Sequence, residues 1–441
     1  MAKATTAILL AAGEGKRMVS KKQKVMHNLC GRPMLGWVMR SVQQHITERP
    51  IVVLGFDGES VKDYFGKDCT YAYQQNVPGN RVDALRAGMS SVNADTGYVL
   101  VMAGNMPLIT DRTVAALVEA AKGFSASRLI CFSDDEDTLI SPAYCFEISV
   151  LRECLKMDAS DIESYVSCLR KKNMAVVDVY APYIEGMEIA DREDLWCCNA
   201  ILRREINASL MRKGVTFIDP ESAYIDADVR IGMDTVIYPD VYMSGRTVIG
   251  EGCRIYNGCR FDNTVVGDNC DMQAVVAIDA VVDDGARVGP YVRLRPNTHI
   301  GKNCKIGNFV EIKNSTIGEK TSVAHLTYVG DSDVGSHVNM GCGTVFVNYD
   351  GFEKHRCKVG DNVFLGCQTA LVAPVTVGDD VYTAAGSVIT EDIPAGTLAI
   401  ARTRQENKEG WVAKYRAIKR TWGFVLSYMR NKNKYKMGET K

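Results

Sequence analysis

The chain has 441 residues, 46% of them hydrophobic and 24% charged, which is ordinary globular composition in a length that exceeds one core, so two or three domains are expected. A formal net charge of -1 supplies no long-range field to collect nucleic acid. No apolar run approaches the roughly 20 residues that cross a bilayer, so a membrane span is excluded as well.

At the N-terminus, "TTAILLAAG" reads as a buried strand that runs into the charged Gly-rich turn "GEGKRM". The apolar stretch is too short for a secretory signal, and a cytoplasmic location is expected. Backbone N–H groups of such a turn can cradle phosphates. Further along, "PIVVLGF", "YVLVMAG" and "MAVVDVY" read as strands, while "RTVAALVEAAKG" and "EDLWCCNAILRREINASLMRKG" have helical period. The alternation over residues 1–220 predicts an α/β layer with a largely parallel sheet, which binds ligands at the carboxyl ends of its strands. One such end, "YVLVMAGNMPLI", offers Asn105 and no carboxylate.

From Ile225 the rhythm changes to six. Ile225, Ile231 and Ile237 are followed by Ile249, Ile255 and Phe261, and then by Val288, Leu294, Ile300, Ile306 and Ile312. After a slip of one residue Ile317, Val323 and Val329 resume the step, and Val359, Leu365, Leu371 and Val377 close it. Three short strands joined by tight turns into one triangular coil have this period, so residues 221–402 are expected to form a parallel β-helix. The segment "FVNYDGFEKHRC" interrupts the rhythm and is expected to be an extruded loop within reach of a neighbouring chain. Fifteen cysteines without a CxxC pair indicate neither a disulfide framework nor a zinc site, and Cys197, Cys198, Cys253 and Cys259 read as small buried residues.

The chemistry gathers in the hexad region. Arg295 and Lys313 are 18 residues apart, which stacks them on one face of a three-hexad coil, as a sugar phosphate needs. His325 suits a base that takes the proton of an ammonium before it attacks a thioester, and Glu311 is placed to orient the imidazole. Tyr328, Asn339, Asn348 and Tyr349 belong to the same end of the repeats.

At these residues the chain resembles the bifunctional bacterial enzymes that acetylate glucosamine-1-phosphate and then uridylylate the product to UDP-N-acetylglucosamine. "GNFVE", "HLTY", "NYDG", "LVAPVTVG" and "KEGW" carry the resemblance. It implies a Rossmann-like nucleotidyltransferase domain followed by a left-handed β-helix, in a homotrimer whose adjacent β-helices share each site. It also implies that Arg295, Lys313, Tyr328, Asn339 and Lys354 hold the sugar phosphate, that His325 is the general base, and that Asn348 and Tyr349 line the site. Cys342, Cys367, Ala385 and Arg402 would contact the co-substrate acetyl-CoA. Cys342 and Cys367 depart from the family's usual alanine and serine, yet both are small and neutral.

In the N-terminal half the resemblance assigns nucleotide contacts to Leu10, Ala11, Ala12, Gly13, Arg17, Lys24, Gln75 and Asn105. The departures there are larger. "PGNRVDA", residues 78–84, replaces a Gly-Thr-Gly segment, Asn105 replaces the aspartate of Tyr-Gly-Asp, and "SDDEDTLISPAYCFE" lacks the family's sugar-binding segments. Magnesium on a triphosphate prefers anionic oxygens. Glu193 or Asp194 is the candidate replacement ligand, and Mg2+ enters only if this half is active. The expectation is a degenerate fold kept for structure or for sensing UTP or a UDP-sugar. A fully bifunctional enzyme and a non-catalytic sensor are the alternatives. Residues 403–441 are expected to form a basic, helical tail, read first as a solvated amphipathic helix, with docking on the trimer base or contact with an acidic surface as the alternatives.

Overall fold

The computed structural model describes residues 4–75, 79–132 and 139–436. Pro78 of the segment 78–84, residues 133–138 of the segment 133–147, and residues 437–441 of the tail lie outside the described residues.

In the N-terminal half, seven strands form the main path of an eight-stranded sheet, β1 (Thr5–Leu10), β2 (Ile51–Leu54), β3 (Thr70–Tyr73), β4 (Tyr98–Ala103), β5 (Ala126–Phe132), β6 (Ala143–Glu147) and β7 (Val176–Pro182), and a short strand, Leu139–Ile140, pairs antiparallel with β5 off that path. Their order is β7-β5-β6-β4-β1-β2-β3. All neighbours are parallel except β6, which runs antiparallel to both β4 and β5. Residues of β1, β2 and β4 are buried on both faces, as expected of a sheet covered by helices on each side. Helix α1 (Arg81–Met89) arises in a segment not expected to be helical, whereas α2 (Asp111–Ala121) and α3 (Arg192–Arg212) match helical periods in the sequence.

The second half is a parallel β-helix. Three parallel sheets of eleven, ten and nine short strands form its sides, and the first rung, Thr216–Phe217, pairs with Val236–Ile237. The hexad residues point inward and stack on like residues. Ile237, Ile255, Met272, Val288, Ile306, Val323, Met340 and Leu365 make one such column, each at most 2% exposed. The slip of one residue at Ile312–Ile317 is a coil of 17 rather than 18, absorbed at a corner. Asn263, Asp279, Asn297, Asn314 and Asp331 hold corner positions at φ between 47 and 61°, a conformation that Asn and Asp tolerate.

Three of the seven cysteines in this half fill one structural niche. Thr235, Cys253, Cys270, Ala286, Cys304 and Thr321 occupy one buried position in successive coils. The hydroxyls of Thr235 and Thr321 donate to the Gly250 and Gly335 carbonyls at 2.8 Å, and the Cys304 thiol donates likewise to Gly318 at 3.0 Å. Cys198, Cys253 and Cys259 are buried as expected, whereas Cys197 is only half-buried because it points off the packed side of α3.

The halves meet at the first coil. Arg32 pairs with Asp228, the Cys30 N–H donates to Asn199 Oδ1 at 3.0 Å, and the Ala227 N–H donates to the Cys30 carbonyl.

Candidate active site

Four consecutive rungs of the ten-stranded side carry the first group of residues: Val292–Leu294, Val310–Lys313, Thr327–Gly330 and Val345–Val347. Strand alternation sends Leu294, Ile312 and Val329 inward and leaves Glu311, Lys313 and Tyr328 facing out. The Arg295 N–H continues the ladder to the Ile312 carbonyl at 2.9 Å, so Arg295 lies directly over Lys313.

Next in the Lys313 column is Gly330. A Cβ there would collide with the Tyr328 hydroxyl and the Asn348 amide, so glycine is what lets those two groups close over the rung. Beside this column Asn314, Asp331 and Asn348 stack at steps of 17. Asp331 is 7% exposed, and it accepts from Asn314 Nδ2 at 2.5 Å and from Asn348 Nδ2. Burial pushes its carboxyl up, but those two hydrogen bonds and the charges of Lys313 and Lys354 outweigh it, and the net shift is downward.

Lys354 arrives from the extruded loop. Tyr349 and Lys354 form an antiparallel bridge, the His355 N–H returns to the Asn348 carbonyl, and Asp350 caps the turn by accepting from the Phe352 and Glu353 N–H groups at 2.8 Å. The turn brings the Lys354 ammonium against Lys313. That contact, followed by burial, holds Lys313 below the usual lysine range, against the pull of Asp331 at 4.0 Å. Adding Arg295, three cations share one face of the solenoid with a single buried carboxylate, which is an arrangement for a dianion.

His325 sits at the adjoining corner, exposed, with φ 61°. The flanking registers place Cys342, Cys367 and Ala385 in successive coils at the same corner position. Arg402 joins them, because its Cδ lies 3.8 Å from where a Cβ of Gly386 would be. Three coil steps of about 4.8 Å make this a track leading from His325 toward the last coil.

Two expectations change. Glu311 does not orient the imidazole within the chain: its Oε1 accepts from Arg295 Nη1 at 2.9 Å, so it fixes the guanidinium instead. Asn339 does not share the face of the cations. It stands on the neighbouring eleven-stranded side, in a column with Phe364 and Tyr382, on the far side of the His325 corner.

In the N-terminal cleft the geometry differs. The Gly-rich turn after β1 is held by Gln23, whose Nε2 donates to the Ala11 carbonyl at 2.5 Å. Ala11 and Ala12 are buried, Leu10 is half-buried, and Gly13 and Arg17 are exposed at its mouth. Lys24 projects inward, and its ammonium is pushed down first by burial, with Arg81 and Arg17 adding to the shift and Glu188 and Asp194 opposing it. Gln75 is exposed, whereas its neighbour Gln74 is buried with an unpartnered Nε2.

Residues 79–84 open α1 rather than packing as a glycine loop. Asn80 accepts from the Asp83 N–H at 2.8 Å and Asp83 returns the bond to the Asn80 N–H, a capping box that launches the helix. Val82 turns into the core, and Arg81 Nη2 lies 2.6 Å from both carboxylate oxygens of Glu188. Arg81, Glu188 and Asp194 line a cleft of about 490 Å³. Glu193 is exposed in the first turn of α3.

Comparison with known proteins matches each half to a family model. A model of the MobA-like NTP transferase domain matches residues 7–173, and one of the GMPPB C-terminal domain matches residues 276–389. The bifunctional protein GlmU of Clostridium botulinum (strain Langeland) is 39% identical over 94% of this chain and 99% of its own. That of Caldanaerobacter subterraneus subsp. tengcongensis is 40% identical, over 92% and 97%. A nucleotidyl transferase from Methanothermobacter thermautotroptrophicus has a similar structure over 46% of this chain and 99% of its own, with 21% identity and a TM-score of 0.40.

The chain belongs to the GlmU family. The Rossmann-like half and the left-handed β-helix expected of such a member are both in place.

The resemblance to the GlmU family implies magnesium in the N-terminal cleft, and the residues present do not fit it. Asn105, 4% exposed, donates its side-chain amide to the Ile189 carbonyl at 2.7 Å while its backbone carbonyl accepts the Ile189 N–H, so the residue stitches β4 to the entry of α3. Glu188 is taken by Arg81, and Asp194 Oδ2 accepts from the Ala190 N–H at 2.8 Å. Among the described residues no group of three or more His, Cys, Asp or Glu side chains is gathered for a metal ion.

Sequence reading missed Asp331, Gly330, Gln23 and Arg81. The first had a signal in Asn314, Asp331 and Asn348 at equal steps of 17, and the other three had none.

Proposed function

We propose that the chain is a cytoplasmic glucosamine-1-phosphate N-acetyltransferase that draws its acetyl group from acetyl-CoA in UDP-N-acetylglucosamine formation for the cell wall. The observation that carries this reading is the convergence of Arg295, Lys313 and Lys354 one corner away from His325. The three cations bind the sugar phosphate, and Tyr328 with the Asp331–Asn348 pair fixes the ring. The imidazole of His325 takes the proton of the sugar ammonium. The free amine then attacks the thioester carbonyl and sheds its second proton to water, the acetyl carbon–sulfur bond breaks as the His325 imidazolium protonates the departing thiolate, and CoA leaves as the thiol along the corner track of Cys342, Cys367, Ala385 and Arg402.

We further propose a homotrimer. Asn339 faces away from the cations of its own chain, so it serves the site of a neighbouring copy, and the exposed loop around Phe352 reaches across the same boundary. The domain division at 221 and 403 belongs to this reading.

Uridylyl transfer is the second activity carried by the family's name. The stitched Asn105 and the Arg81–Glu188 pair argue that this half has given up metal-dependent transfer and retains nucleotide contacts at Leu10–Gly13, Arg17, Lys24 and Gln75 for structure or sensing.

One coupled measurement tests both halves. With glucosamine-1-phosphate and acetyl-CoA the purified protein should release free CoA thiol, and His325→Ala should lower that rate about 100- to 10,000-fold without lowering the unfolding temperature. Adding UTP and Mg2+ should release no pyrophosphate. Normal turnover in the variant overturns the base assignment. Pyrophosphate release restores the bifunctional reading, and tight UDP-sugar binding without acetyl transfer favours the sensor.

A further inference from the structure

We propose that the C-terminal helix α4 (Trp411–Lys436) docks on an anionic phospholipid surface, lying in the plane of the headgroups with an aromatic stripe turned inward. The proposal is independent of the acetyltransferase reading.

The stripe is written in the sequence and left open by the fold. Trp411, Tyr415, Ile418, Trp422, Val425 and Met429 recur at steps of four and three, and with Leu426 they fall within an arc of about 100° on a helix of 3.6 residues per turn. All seven are exposed, from 40% at Val425 to 61% at Trp422. Every other described side chain of the helix is exposed too, so the chain itself covers neither face. Trp411 and Tyr415 stack on each other at 4.9 Å, and the Lys419 ammonium lies over the Tyr415 ring, 5.7 Å from its centre, so the stripe already carries a cation.

Charge decides what covers the stripe. Lys414 borders the arc on one side and Lys419 on the other, with Arg416 and Arg420 behind. Arg430, Lys432, Lys434 and Lys436 follow, and no Asp or Glu occurs between residues 411 and 436. Because the whole chain carries only -1, the remainder is acidic and the positive charge is concentrated here.

A second copy of the helix fits poorly. The spacing would suit a coiled-coil seam, but Lys414 and Lys419 would face like charges across it with no acid to pair. A nucleic acid would use the charges and leave the Trp and Ile side chains in water. An anionic bilayer takes both, with the apolar arc at the acyl boundary, Trp and Tyr at the headgroup level, and lysines reaching outward to phosphates. No helix among the described residues is long and apolar enough to cross a membrane, so the helix lies on the surface.

The test uses the full chain and sedimentation with vesicles of phosphatidylcholine alone or with about three parts in ten phosphatidylglycerol. Binding to the anionic vesicles should exceed binding to the neutral ones by about tenfold and weaken as salt rises. The double variant Ile418→Asp, Trp422→Asp should lose at least about tenfold of that binding while CoA release and thermal unfolding stay unchanged. The proposal fails if the wild type ignores anionic vesicles or if the double variant binds them equally well. It fails too if the wild type only forms concentration-dependent higher assemblies that the variant abolishes, or if it binds nucleic acid but not vesicles.

Discussion

On the β-helix face the cations outnumber their local acids. Lys313 and Lys354 press against each other, Arg295 is steadied by Glu311, and the one buried carboxylate, Asp331, already has two amide donors. In the N-terminal cleft Arg81 is held by both oxygens of Glu188 and the Asn105 amide is committed to a backbone carbonyl, while the Lys24 ammonium is crowded by Arg81 and Arg17 and opposed by Glu188 and Asp194. A site that captures an anion keeps positive charge unsatisfied, and the β-helix face does so at Lys313 and Lys354, whereas Arg81 is paired away. The proposed assignment of acetyl transfer to the β-helix, and of no uridylyl transfer to the N-terminal cleft, rests on this contrast.

The largest effect that sharpens the contrast falls on Lys313. Its side chain is 20% exposed and its nearest acid is 4.0 Å away, so a bound phosphate would be its principal partner. Lys313→Ala should raise KM for the sugar phosphate about 10- to 100-fold, the range expected for losing a charge-assisted hydrogen bond of about 1.5–3 kcal/mol. Arg81→Ala, removing an equally conspicuous cation, should leave acetyl transfer untouched. Steady-state kinetics of the two variants decide the matter, and equal losses would erase the distinction.

A smaller effect is expected at Asn105. Replacing it with aspartate restores a carboxylate but removes the donor to Ile189 and sets a negative charge against that carbonyl. Asn105→Asp should therefore destabilise the N-terminal half by about 1–3 kcal/mol in denaturant unfolding and yield no Mg2+-dependent pyrophosphate release. Gain of uridylyl transfer with unchanged stability would mean that the cleft is one substitution from activity, and the contrast would break there.

Much of this was legible in the sequence because the β-helix writes its geometry in the period. Inward residues must recur every sixth position, so the stacking of Arg295 on Lys313 followed from their spacing. The 17-residue coils hid the Asn314–Asp331–Asn348 ladder from a reading tuned to 18. Asn339, eleven residues beyond Tyr328, was within reach of the same arithmetic, since that separation is not a whole coil and puts it on another side. Arg81 was out of reach. Its partner Glu188 lies 107 residues away, and only folding brings the start of α1 beside the approach to α3. The corner track was partly visible, because the resemblance named Cys342, Cys367 and Ala385 without showing that the registers align them above His325.

The smallest effect concerns pH and isolates the crowding of cations. Lys313 binds an anion only as the ammonium, and its pKa is held below the usual lysine range by Lys354 first and by burial second. A depressed pKa means that the charged form disappears at a lower pH than for a free lysine. Affinity for the sugar phosphate should thus fall along an alkaline limb that begins earlier than lysine chemistry alone predicts. Lys354→Met removes the neighbouring ammonium while keeping a long side chain, so the Lys313 pKa should rise and the limb of log(1/KM) should move to higher pH, even as overall affinity drops. A limb that stays in place would show that Lys354 does not act on Lys313 in solution, and the direct contact of two ammonium groups would no longer set this face apart.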